Sequence, residues 1–326
     1  MWLKILIIAS IALLFIIFIL FLLTFIIHNR LFKHRHIPDP LVKTYTVEMF
    51  GLKQSPIEFK CGKDLLRGFI YSSDIKYKDK IVIFCHGMWS THYSYLQDIG
   101  YLCNNGYEVM SFDYNGTNLS DGSSLKGLSQ SLACVDSAIN FVKSLDEFKN
   151  KKIYVVGHSW GGFTAINSCK YHNDISGIVA LSPFISISGV LKGMIKKPGW
   201  ILIPLFILVE RIRVGKYAGA NALKALKNFN GSVLIIQSKN DGMVSYKYNT
   251  HLLEKKLKKD NIRYYINDDR YHNPNYTKAS VDMLNEYLLN IKKIDKNDIE
   301  EFKRNTDYLK MGELDPVVMD KILKAL

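Results

Sequence analysis

Five residues, Gly157-His158-Ser159-Trp160-Gly161, constrain this chain more than any other stretch. They follow the apolar run Ile153-Tyr154-Val155-Val156 and lead into Phe163-Thr164-Ala165-Ile166, which reads as a helix. A chain that passes from strand to helix in so few residues must turn tightly. The central serine is forced into a strained conformation, and a glycine two residues to either side lets neighbouring backbone approach without a Cβ clash. The serine oxygen then stands exposed above the sheet, at the positive end of a new helix.

The sheet that such a turn needs is legible around it. Continuous apolar runs at Ile81–Cys85, Tyr107–Phe112, Ile153–Val156, Gly177–Leu181, Ser232–Gln237 and Ile262–Ile266 suit parallel strands buried on both faces. Helical patterns separate them, at about 92–104, 129–147, 160–171, 246–258 and 276–291. This alternation predicts an α/β fold with a mostly parallel, doubly covered sheet. Residues 42–50, 55–60 and 66–72 alternate apolar with polar and predict antiparallel strands ahead of it.

Between Pro183 and Asn230 the alternation breaks, and no strand of the sheet is evident. Trp200–Val209 is an apolar run too short to cross a bilayer. An insertion here lies over the carboxyl ends of the strands, so a helical cap above Ser159 is expected, spanning about 183–230. Its apolar residues Trp200, Leu205 and Phe206 are the candidate substrate contacts. Residues 293–326 read as a charged helical tail that docks on the surface of the main domain, 42–292. Asp315 and Pro316 open its last helix as N-cap and first turn.

At the other end, Ile5 to Ile27 holds no charge over 23 residues, long enough for a transmembrane helix. A cleaved signal peptide would have a shorter apolar core and small residues at a cleavage site. The chain instead continues His28-Asn29-Arg30-Leu31-Phe32-Lys33-His34-Arg35-His36, so residues 1–28 are expected to be an uncleaved anchor and 29–41 a basic linker. Arg30, Lys33 and Arg35 follow the span, whereas Lys4 alone of the side chains precedes it. That asymmetry puts the large domain on the cytoplasmic side of a single-pass protein.

Formal net charge is +13. The basic residues are scattered through 143–152, 192–227 and 254–263 rather than gathered in one run with interleaved aromatics. Attraction to an anionic membrane surface fits this better than nucleic-acid binding. Five cysteines without short paired spacing argue against a disulfide framework and against a zinc site.

A serine hydroxyl needs a base, and the base needs an orienting carboxylate. Asp241 follows the strand run Ser232–Gln237, in Asn240-Asp241-Gly242, and His272 follows Ile262–Ile266. The order Ser159, Asp241, His272 is the nucleophile–acid–base order of a strand–turn–helix serine site. Asp268 and Asp269 are alternative acids, but they sit too near His272 to be a separate strand-end carboxylate. Donors for a developing oxyanion are expected from the backbone N–H of Trp160 and that of Met88, in His86-Gly87-Met88 after Ile81–Cys85. His86 reads as a loop stabiliser and His158 as a packing residue.

Taken together, His86-Gly87, Gly157–Gly161, Asn240-Asp241 with Val244, and His272 resemble the α/β-hydrolase superfamily. Within it the chain resembles the group of monoacylglycerol lipases, lysophospholipases and serine aminopeptidases. Asp113–Gly122 is similar to that group's Asp-x-Arg-Gly-x-Gly-x-Ser loop, with Asn115 in place of the Arg and Asn118 in place of a Gly. The resemblance covers about 60–290. It implies a serine hydrolase that works through an acyl-enzyme, with no metal or organic cofactor and a lipid or other acyl ester as substrate. Glu210 is the only acid in 183–229, whereas a peptide amino terminus would want a carboxylate, so an esterase is expected over a peptidase. An acyltransferase uses the same intermediate, and a silent, membrane-tethered binding module is the reading from another class. Nothing in the sequence sets an oligomeric state.

Overall fold

The computed structural model describes residues 1–42, 45–75 and 79–326. A long helix, α1 (Trp2–Phe32), leads the chain. Two antiparallel strands follow, β1 (Lys53–Cys61) and β2 (Asp64–Ser72). From β3 (Lys80–Cys85) onward strands and helices alternate through α2 (Leu96–Cys103), β4 (Glu108–Phe112), α3 (Gln130–Ser144), β5 (Lys152–His158), α4 (Trp160–Ser168) and β6 (Gly177–Leu181). Three helices intervene, α5 (Ile187–Met194), α6 (Ile203–Val214) and α7 (Ala222–Lys227). The sheet resumes with β7 (Ser232–Ser238), α8 (Thr250–Lys256) and β8 (Ile262–Asn267), and the chain ends in α9 (Lys278–Asn290), α10 (Ile299–Arg304), α11 (Tyr308–Met311) and α12 (Pro316–Ala325).

The eight strands form one sheet in the order β1-β2-β4-β3-β5-β6-β7-β8. Pairing is antiparallel on both sides of β2 and parallel from β4 to β8. Side chains alternate across each strand and so divide the core in two. Ile81, Ile83 and Cys85 point into one apolar cluster with α3, α4 and the cap helices, while Val82 and Phe84 point into the other with α2 and α12.

One sequence expectation needs correction. Among the described residues of 42–50 there is no strand. Lys43 and Thr44 lie outside the described residues, and Glu48–Phe50 is a 3-10 turn closed by Gly51 at φ 63. Tyr45, Val47 and Leu52 bury their side chains in the second core without joining the sheet, which satisfies the apolar alternation by another route. The tail ends in a helix whose apolar face packs on the sheet. Val318, Met319, Ile322 and Ala325 of α12 are fully buried in the second core, against β6 and β7. Asp315 does cap that helix, accepting from the N–H groups of Val317 and Val318 at 2.9 and 3.3 Å, with Pro316 in its first turn.

Candidate active site

The turn between β5 and α4 carries the strain its sequence foretells. Ser159 has φ 57 and ψ −113, a region that L-residues avoid. Two hydrogen bonds hold it there: Ser159 N–H donates to Leu181 O at 2.8 Å, and Phe163 N–H donates to Ser159 O at 2.9 Å. The flanking glycines are demanded by contact. A Cβ on Gly157 would strike the carbonyl of Gly161, and one on Gly161 would strike that of Cys85. The serine hydroxyl is thereby fixed at the carboxyl edge of the sheet.

Asp241 and His272 come together from the turns after β7 and β8. The imidazole Nδ1 lies 3.0 and 2.9 Å from the two carboxylate oxygens. A carboxylate only accepts, so Nδ1 carries the proton and Nε2 is left as the basic nitrogen. Asp241 is anchored in turn by Met243 N–H at 2.9 Å, Val244 N–H at 2.8 Å and Gln237 Nε2 at 3.3 Å. Asp268 and Asp269 face outward, in ion pairs with Lys239 at 2.8 Å and Arg270 at 2.5 Å. Neither is engaged with the imidazole.

Met88 follows Gly87, whose own N–H is taken by Tyr95 Oη at 3.1 Å. Among the described residues the Met88 N–H has no acceptor. Trp160 is the first residue of α4, and the first N–H groups of a helix have no intrahelical acceptor. Both residues line the same cavity as Ser159 and His272.

Two further histidines, His86 and His158, support the region. Burial lowers His86 to about 4. Its Nε2 accepts from Tyr114 N–H at 3.3 Å, so its Nδ1 donates to Gly87 O at 2.8 Å, while its ring stacks on Tyr114. His158 does more than pack. Its Nε2 donates to the backbone carbonyl of His272 at 2.8 Å, and its Nδ1 accepts from the Tyr95 hydroxyl at 2.9 Å. A single chain of hydrogen bonds therefore runs from the Gly87 loop through Tyr95 and His158 to the backbone of His272. The sequence placed His158 inside the turn, but its partners are distant in the chain and left no local signal.

Asp113 is buried beside the Asp-x-Asn-Gly turn. Burial opposes its charge, but the neighbouring His92 at 2.9 Å wins and holds the carboxyl below its usual range. Asn118 takes φ 38, the left-handed conformation a glycine would otherwise supply, and its amide donates to Asp113 Oδ2 at 2.8 Å.

Above these groups lies an apolar cavity of about 310 Å3. Phe184, Val190, Leu191, Met194 and Phe206 from the cap side, Leu128, and Met243 with Val244 form much of its wall. Of the three cap residues singled out by sequence, only Phe206 lines it. On α6 the residues Ile203, Phe206, Val209 and Glu210 share the inward face, and Leu205, about 100° round the helix from Phe206, points elsewhere. Trp200 is held apart, its Nε1 donating to Ile195 O at 2.8 Å and its ring edge-on to Tyr248. Sequence reasoning also missed Leu31 and Phe32 at the end of α1, which line the cavity too. The available signal was the stripe Thr24, His28, Phe32, spaced four apart on one helix face and buried.

Residues 76–214 match the model of a family described as serine aminopeptidase, S33. That segment holds Met88, Ser159 and Trp160 and ends before Asp241 and His272. A monoglyceride lipase of Saccharomyces cerevisiae is similar at 30% identity over 161 residues, 46% of this chain and 51% of the relative. The chain thus spans about half the length of this curated relative. Among solved structures, an esterase from Pyrococcus furiosus superposes with a TM-score of 0.58 at 19% identity, over 80% of this chain and 96% of its own. An alpha-beta hydrolase from Vibrio vulnificus gives 0.58 at 18% identity, over 83% and 93%. At such identities the superpositions speak for the fold.

Proposed function

We propose that this chain, an α/β hydrolase by fold, is a membrane-anchored serine hydrolase that cleaves monoacyl esters through an acyl-enzyme. The observation that carries the reading is the bond between His272 Nδ1 and Asp241, beside a strained Ser159 that opens into an apolar cavity. In the first step Ser159 Oγ attacks the ester carbonyl and its proton passes to His272 Nε2. The N–H groups of Met88 and Trp160 receive the oxyanion, and Asp241 stabilises the imidazolium. His272 then gives the proton to the departing alcohol. Water, activated by the same nitrogen, releases the acid and restores the serine.

The cavity supports an acyl chain as the bound group. Its volume sits at the low end of small-molecule pockets, which run from roughly 300 to 1,000 Å3, so one chain suits it better than two or three. The peptidase reading loses its one carboxylate. Glu210 is fully buried and accepts from Leu128 N–H at 2.6 Å, Ser129 N–H at 3.1 Å and His28 Nε2 at 3.0 Å, leaving nothing for a peptide amino terminus. α1 supports the anchor, since an 18-residue window within it has a mean hydropathy of 3.4 and none of that window is buried against the domain.

Labelling of the full-length protein with a fluorophosphonate tests the nucleophile. Wild type is expected to label and Ser159→Ala, still folded, to stay blank while losing at least about a thousandfold of ester turnover. Equal labelling of the mutant refutes the assignment. A series of esters of rising chain length tests the substrate. Each buried methylene contributes about 0.8 kcal/mol, so medium and long chains should exceed acetate by powers of ten in kcat/KM. A flat profile, or faster cleavage of aminoacyl amides, rejects the lipid reading.

A further inference from the structure

A helix that serves only as an anchor has no reason to touch the substrate cavity, yet the last turns of α1 are built into it. Thr24, His28 and Phe32 are buried, while most of the helix before them is exposed. The His28 ring sits between Phe32 and Phe206, with centroids 4.7 and 4.9 Å away. Leu31 and Phe32 line the cavity shared by Ser159 and His272. Arg213 of α6 adds a hydrogen bond to Asn29 at 2.9 Å.

The joint is made by Glu210. This carboxylate and His28 are both fully buried and 3.0 Å apart. Taking such groups out of water is costly, and the cost is offset only where every lone pair is well met. Here two further donors meet the carboxylate, the N–H groups of Leu128 and Ser129, while among the described residues His28 Nδ1 has no hydrogen-bond partner. The carbonyl of Leu128 accepts from Trp160 Nε1 at 2.5 Å, and Trp160 is the residue after Ser159. α1, the cap and the serine turn are thus tied together through one buried group.

We propose that Leu31 and Phe32 are specificity-determining residues, a wall supplied by the anchor helix against which the acyl chain of the substrate lies. The inference rests on the serine-hydrolase reading above and adds that the anchor is part of the substrate site. Leu31 is 49% exposed, so a larger side chain there can be accommodated without disturbing a packed core.

Two experiments on the full chain in nanodiscs test this. In the first, Leu31→Trp narrows the cavity, and the ratio of kcat/KM for a dodecanoyl ester to that for an acetyl ester is expected to fall at least tenfold. Ile26→Trp, on an exposed position of the same helix, is expected to keep the wild-type ratio. An unchanged ratio in Leu31→Trp, or an equal fall in Ile26→Trp, overturns the proposal. The second needs no turnover. In Leu31→Cys, a non-hydrolysable monoacyl ether lipid is expected to slow maleimide modification at position 31 at least fivefold, with no such protection in Ile26→Cys. Equal rates with and without the ether lipid overturn the wall even if Ser159 proves to be the nucleophile. Protection in a protein whose serine does not label would leave the wall standing and strike the hydrolase reading alone.

Discussion

His158 Nε2 donates to the backbone carbonyl of His272 across 2.8 Å, joining the serine turn to the loop that presents the imidazole. The two rings lie 4.8 Å apart, and Tyr95 closes the other side of His158. The proposed base is held from two directions, by Asp241 on its ring and by His158 on its backbone.

His158→Phe keeps an aromatic ring and removes both hydrogen bonds. A net hydrogen bond contributes about 1 kcal/mol, so kcat is expected to fall roughly tenfold with KM little changed. Tyr95→Phe is expected to act in the same direction. Steady-state kinetics on a short ester check this; full kcat in His158→Phe would make the contact a packing detail.

The acid is tested by a three-way comparison. Asp241→Asn is expected to lose at least about a hundredfold in kcat, because an amide favours the wrong imidazole tautomer. Asp268→Asn and Asp269→Asn break only exposed ion pairs, worth about 1 kcal/mol or less, and are expected to stay within about twofold. Loss of activity in either surface variant with Asp241→Asn active would relocate the acid.

Gly161→Ala is expected to destabilise the fold rather than only the chemistry. The added Cβ meets the carbonyl of Cys85, rigid backbone in the neighbouring strand. Overpacking of this kind costs about 3 kcal/mol, readable as a drop in thermal midpoint or in folded yield. A variant with wild-type stability would mean that β3 and α4 can separate freely.

Buried His86 gives a pH dependence with a definite sign. Burial lowers it to about 4 in the folded protein, against an unfolded value of about 6.5. The unfolded chain therefore binds the proton more readily. Its contribution is complete above the unfolded value and is lost as pH falls from about 6.5 towards about 4. Thermal midpoints measured at pH 7.5 and pH 5 should fall further in wild type than in His86→Asn. An identical slope would show that this imidazole is not what titrates.

The proposed topology is checked on intact cells. With Arg30, Lys33 and Arg35 at the cytoplasmic face, externally added protease is expected to spare residues 37–326. Digestion from outside, or a mature chain that begins after residue 27, would reverse the orientation or remove the anchor.

What the sequence determined alone is whatever short-range pattern dictates. Parallel strands buried on both faces must be continuously apolar, so the runs from Ile81 to Ile266 marked the sheet, and a glycine-flanked serine between strand and helix marked the strained turn at Ser159. Asp315 and Pro316 announced a helix start because capping is a contact between near neighbours. The tertiary structure decided everything that depends on which distant surfaces meet. Trp200 and Leu205 are as apolar as Phe206, but only the rotation of α6 against the sheet chooses which faces the cavity. α12 reads as a charged tail until its apolar stripe meets β6 and β7. His28 and Glu210 lie 182 residues apart, and each looks ordinary on its own. Their meeting follows from the packing of α1 on α6, a long-range contact whose free energy is shared among many side chains and written in no single stretch of the chain.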